Sequence, residues 1–126
     1  MSIQKMISEH PDVDGHLNDP LAETVKHAMY AAAIMNSCAD ACGAEEGDMR
    51  QCIRACSDAS DAAQALSRVA ARRTGSNEGV IRAALAFART AAEACKAECD
   101  KMDNAHCRRC STMCQELIDD IANANL

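Results

Sequence analysis

The residues able to do chemistry in this chain are its nine cysteines, and their spacing is regular. Cys38 and Cys42, Cys52 and Cys56, and Cys95 and Cys99 are CxxxC pairs, and Cys107, Cys110 and Cys114 form a CxxCxxxC run. Residues four apart on a helix carry Cβ atoms roughly 5 to 6 Å apart, so each pair can aim two sulfurs at one ion. Thiolates select soft ions such as Cu(I), which takes two or three sulfur ligands and shares bridging thiolates between neighbouring ions. The pattern therefore points to binding of several soft metal ions. A disulfide framework fits less well, because the count is odd and the segment from Met1 to His10 lacks the apolar stretch of a secretory signal. A reducing, cytoplasmic setting is expected.

The elements that must position these thiols are helical. Aromatic content is 2%, Trp is absent, and apolar residues recur at steps of three and four through most of the 126 residues, as amphipathic helices require. A short helix over about 2–9, built on Ile3, Met6 and Ile7 and halted by Pro11, is expected to lie across the rest. A long helix over about 20–42 follows, with Asp19 as its cap and Pro20 in its first turn. Gly43 suits the left-handed residue that ends it, and the run Asp48, Met49, Arg50, Gln51 reads as a capping box for a helix over about 49–73. Thr74, Gly75, Ser76 and Asn77 make the next turn. Helices over about 78–101 and 105–122 complete the set, the last capped by Asp103 or Asn104 and trailing into a polar, frayed tail. Short connections imply antiparallel neighbours, so the expected fold is all-α: one domain over 1–126, an up-down-up-down four-helix bundle with the short N-terminal helix packed across it.

Every cysteine lies on the inner seam of its helix. Steps of three and four run through Cys52, Cys56, Ala59, Ala63, Leu66 and Ala70, through Cys107, Cys110, Cys114, Leu117 and Ile121, and likewise along the other two helices. Cys38 and Cys42 end their helix, Cys52 and Cys56 begin theirs, Cys95 and Cys99 end the next, and Cys107 to Cys114 begin the last. In an antiparallel bundle those four termini share one end, so nine sulfurs converge there. Cys52 and Cys107 sit in first turns, where the helix dipole is expected to lower the thiol pKa and assist deprotonation.

At this point the sequence resembles the cysteine-rich four-helix-bundle copper-storage family, in Cys38 to Glu45 (CADACGAE), Arg50 to Cys56 (RQCIRAC) and Ala94 to Cys107 (ACKAECDKMDNAHC), over about residues 21–121. The resemblance implies Cu(I) stored on cysteines inside a bundle, tetramers in some members, and His and Met residues near the loaded end that admit the metal. Met102 and His106 match the family's His-rich turn at two positions, with Met102 where a histidine is common. The chain also departs from the family: Ala31, Met35, Ala59, Ala63, Leu85, Ala88, Ala92, Leu117 and Ile121 fall where fuller members place further cysteines. The expected capacity is a few ions above an apolar plug. Met35 reads as core filler, Met49 and Met113 as weak ligand candidates, and a copper chaperone and further copies of the chain as the expected macromolecular partners.

Composition narrows the range of functions. A net charge of −6 with interspersed Lys and Arg argues against nucleic acid. No segment is apolar enough for a membrane span, and no phosphate loop, nucleophile elbow or carboxylate pair suggests an enzyme. Zinc is the alternative metal, though its structural sites are usually closed tetrahedra on knuckles and loops. A thiol-redox module and a structural bundle that has lost most metal storage also stay open, and iron–sulfur ligation fits least. His10, His16 and His27 read as surface or capping residues, and Glu45, Glu46, Asp119 and Asp120 as solvated helix ends.

Overall fold

The computed structural model describes residues 1–126 and contains five helices and no strand. They are α1 (Ile3–Ser8), α2 (Asp19–Gly43), α3 (Arg50–Ala71), α4 (Glu78–Cys99) and α5 (Ala105–Ala122). The four long helices pack in chain order, α5 closes the ring against α2, and α1 lies on α2. The connections, residues 44–49, 72–77 and 100–104, are too short for anything but antiparallel neighbours.

Local chemistry places the boundaries, in several cases a residue or two from where the sequence suggested. The cap of α2 is Asn18 rather than Asp19: its Oδ1 accepts from Leu21 N at 3.1 Å, and Asp19 becomes the first-turn acid that favours a helix N-terminus. Gly43 is helical, and the left-handed glycine of that connection is Gly47, at φ +93°. The capping box at Asp48 does not form. Its Oδ1 accepts from Arg50 N at 3.1 Å and its carboxylate holds the Arg50 guanidinium, while Gln51 turns to Arg54. Helix α3 ends at Ala71, before Arg73, because Asn77 captures the next turn: its Nδ2 donates to Arg72 O, its Oδ1 accepts from Thr74 N, and Gly75 adopts φ +78°. Helix α4 stops at Cys99 rather than Lys101, and the N–H groups of Lys101 and Met102 bond three residues back in tighter turns. Asn104 caps α5, accepting from Cys107 N at 2.9 Å.

Both chain ends are tied to the bundle. In α1 Ile7 is buried, but Met6 faces solvent, so its apolar side is narrower than the sequence suggested. The tail after α5 is held rather than frayed. Asn18 Nδ2 donates to the carbonyls of Ala124 and Asn125, and Ala124 is buried.

One core runs the length of the bundle and changes character along it. At one end it is made of sulfur. At the other, Leu21, Val25, Ala28, Leu66, Ala70, Ile81 and Leu117 are all but fully enclosed, and Ile121 is partly covered. The many alanines let the helices approach closely, and Met35, completely buried, occupies the level just beneath Cys38 on α2.

Candidate metal centre

The cysteines reach the centre from the halves of the four long helices that share one end, with Cys114 furthest in, at the middle of α5. Cys42 lies in the last turn of α2 and Cys52 in the first of α3, so the 44–49 connection makes them neighbours, with Sγ atoms 3.5 Å apart. The α4–α5 turn does the same for Cys99 and Cys107 on the opposite side of the ring. All nine thiols are free and buried, none more than 3% exposed.

The sulfurs form one continuous network. Cys56 and Cys95 are 3.3 Å apart, Cys56 and Cys99 3.7 Å, and Cys95 and Cys110 3.8 Å. Cys107 lies 3.8 Å from Cys42 and 3.9 Å from Cys52, and Cys52 is also 3.9 Å from Cys99. Four overlapping groups bring ligand atoms within 4.8 Å of one another: Cys38, Cys56, Cys99 and Cys110; Cys38, Cys42, His106 and Cys107; Cys52, Cys99 and Cys107; and Cys95, Cys110 and Cys114. Because Cys38, Cys99, Cys107 and Cys110 each belong to two groups, the donor set is suited to thiolates that bridge ions.

Of the residues outside the cysteines, His106 joins this set most directly. Its Nδ1 lies 3.4 Å from Cys38 Sγ and 3.6 Å from Cys107 Sγ. Met102 is partly buried against the core in the α4–α5 turn. Met49 is buried and lines a surface cleft of about 450 Å³ with Cys42 and Glu45, whereas Met113 faces the α2–α5 side near His27.

Proton affinities follow burial and partners more than helix position. The Cys52 and Cys107 thiols are pushed up, Cys107 to about 12, chiefly by desolvation, which outweighs the first-turn dipole expected from their place in the sequence. Cys38 goes the other way. Hydrogen bonding within the sulfur network, from Cys110 and then Cys56, and from His106 hold its thiol down to about 6. His106 is correspondingly raised, first by Cys38 and also by Glu45. At the mouth of the centre the Cys38 sulfur and the His106 ring thus each favour the charged form of the other.

Two acidic residues turn out to be engaged rather than merely solvated. Glu45 Oε1 lies 2.9 Å from His106 Nε2, a contact that its reading as a solvated helix end missed. The topology that gathers the cysteines could have shown this, since it also brings the α2–α3 and α4–α5 connections to the same end. Asp120 binds His27 Nδ1 at 2.6 Å while Glu23 binds its Nε2 at 3.0 Å, so His27 is a link between α2 and α5 at the sulfur-free end.

The fold has close structural counterparts. The copper storage protein Ccsp from Streptomyces lividans, loaded with 10 copper equivalents, is 28% identical, with a TM-score of 0.90 over 98% of this chain and 97% of that one. A second structure, of a cytosolic copper storage protein from Streptomyces lividans with five coppers, is 30% identical, with a TM-score of 0.81 over 85% of this chain and 92% of that one. No curated protein matches. The copper storage protein family profile matches residues 17–125, a span that takes in all four long helices and every cysteine. With its thiols gathered at one end of a ring of four helices, this chain belongs to the copper storage protein family.

Proposed function

We propose that this protein takes up several Cu(I) ions in the cytosol and holds them on Cys38, Cys42, Cys52, Cys56, Cys95, Cys99, Cys107, Cys110 and Cys114, with His106 and Met102 at the mouth. The observation that carries this reading is the network of nine buried thiols, seven of them with neighbouring sulfurs 3.3 to 4.0 Å apart and Cys38 and Cys114 within 4.8 Å of others. Such a donor set offers soft, bridging ligands to a soft ion, and the apolar wall excludes water and oxidants. Storage or buffering by binding alone, without a catalytic step, accounts for every residue of the centre. The apolar half of the core leaves no thiols for further ions, so capacity is lower than in members whose cysteines run the length of the bundle. A copper chaperone as donor and a homotetramer are consistent with this role.

An anaerobic Cu(I) titration against a high-affinity chromophoric competitor tests it. The expected result is stoichiometric uptake of several equivalents. Sub-stoichiometric Cu(I) uptake with tight retention of zinc would defeat the copper assignment.

The pH dependence has a defined sign. Copper must displace protons from raised thiols such as Cys107 and from His106, so affinity falls as pH is lowered. Below about 6 the slope steepens, because Cys38 then also carries a proton that the metal must replace. Competition titrations on either side of that value measure the change in slope; an unchanged slope would contradict a Cys38 ligand that ionises near that pH.

A further inference from the structure

We propose that Glu45 is a positioning residue for the mouth of the centre: from the α2–α3 connection its carboxylate holds the His106 ring across the bundle end, with Nδ1 aimed at the sulfurs of Cys38 and Cys107. This rests on the copper reading above and assigns a role to a residue outside the ligand set.

The geometry uses both ring nitrogens. Nε2 is 2.9 Å from Glu45 Oε1, and Nδ1 is 3.4 Å from Cys38 Sγ and 3.6 Å from Cys107 Sγ. A carboxylate oxygen accepts, so Nε2 carries the proton of that bond, and Nδ1 is the nitrogen left to offer a lone pair to a metal. That nitrogen completes the group of Cys38, Cys42, His106 and Cys107, the only group with a non-sulfur donor. A carboxylate bonded to the outer nitrogen of a ligand histidine fixes both its tautomer and its ring orientation.

The backbone makes Glu45 suited to the task. Glu45 N donates to Cys42 O at 3.2 Å and Ala44 N to Ala41 O at 3.0 Å, so the carboxylate is carried on the same turn as the Cys42 thiol. No other side-chain hydrogen bond joins the α2–α3 connection to the start of α5. His106 is about a quarter exposed and Glu45 more so; an ion pair that open contributes little to stability. Its consequence therefore falls on metal uptake.

The test uses the full chain with Glu45→Ala, Glu45→Gln, His106→Ala and the Glu45→Ala/His106→Ala pair. Cu(I) is transferred anaerobically from its bicinchoninate complex, and uptake rate, affinity of the mouth and total capacity are read together with the thermal midpoint. Glu45→Ala is expected to weaken the mouth by about 10-fold, as removal of an outer partner of a metal-binding histidine does. Capacity and thermal midpoint stay close to wild type, and Glu45→Gln, which keeps an oxygen acceptor, recovers most of the loss. In the His106→Ala background Glu45→Ala adds nothing. A metal-free readout accompanies these: the ring ¹⁵N shifts of His106 move in Glu45→Ala. Wild-type affinity in Glu45→Ala, or an effect that persists without His106, would overturn the proposal. Failure of the wild-type protein itself to take up Cu(I) would instead overturn the copper reading, and the positioning role with it.

Discussion

Replacing Cys99 by serine is expected to remove about two Cu(I) equivalents from the capacity, against about one for Cys114→Ser, because shared thiolates bridge ions whereas a terminal one does not. Cys99 Sγ lies 3.7 Å from Cys56, 3.9 Å from Cys52 and 4.0 Å from Cys95, and it belongs to two of the four ligand groups. Cys114 belongs to one. The hydroxyl that replaces the Cys99 thiol can bond a carbonyl one turn back in α4, so the fold is expected to survive at a cost of about 1 kcal/mol. Copper titration with circular dichroism as the folding control separates the two effects. Equal losses for the two variants would show that position in the network does not govern capacity.

Leu66→Ala should do the reverse, lowering stability by about 3 kcal/mol while leaving copper capacity unchanged. Leu66 is fully buried on α3, and it lies ten residues beyond Cys56, about 15 Å along the helix at 1.5 Å per residue. Its removal opens a void among closely packed side chains, and alanine neighbours such as Ala63 and Ala70 are too small to collapse into it. Urea unfolding of the metal-free protein measures the first effect and Cu(I) titration the second. Copper loss comparable to that of Cys99→Ser would contradict the division of the core into a sulfur end and an apolar end.

That division was legible in the sequence because both halves use the same helical period. The steps from Cys52 through Cys56, Ala59, Ala63 and Leu66 to Ala70 describe one inward face, and all six side chains are buried. The convergence of the cysteines was legible too, since alternating helix ends and short connections leave little topological freedom. Boundaries were less so. Asp19, Gly43 and Asp48 carry plausible signals for caps and stops, but neighbouring groups compete for the same hydrogen bonds: Asn18 wins the first, and Arg50 occupies Asp48. Helix-dipole reasoning about Cys52 and Cys107 failed for a related reason, because burial in a crowded sulfur network is the larger influence on a thiol.

The order of residues was thus enough to dictate four long helices, the faces they bury, and the meeting of nine thiols at one end of the bundle. Those properties follow from local periodicity and connection length, which any stretch of chain carries within itself. Packing, and nothing short of it, lowered the proton affinity of Cys38, as of Cys99 and Cys114, set His106 over Cys38, and brought Glu45 to hold the ring from the other connection. Each of these depends on distances between segments dozens of residues apart, and on how much water reaches them, quantities that exist only once the helices have come together.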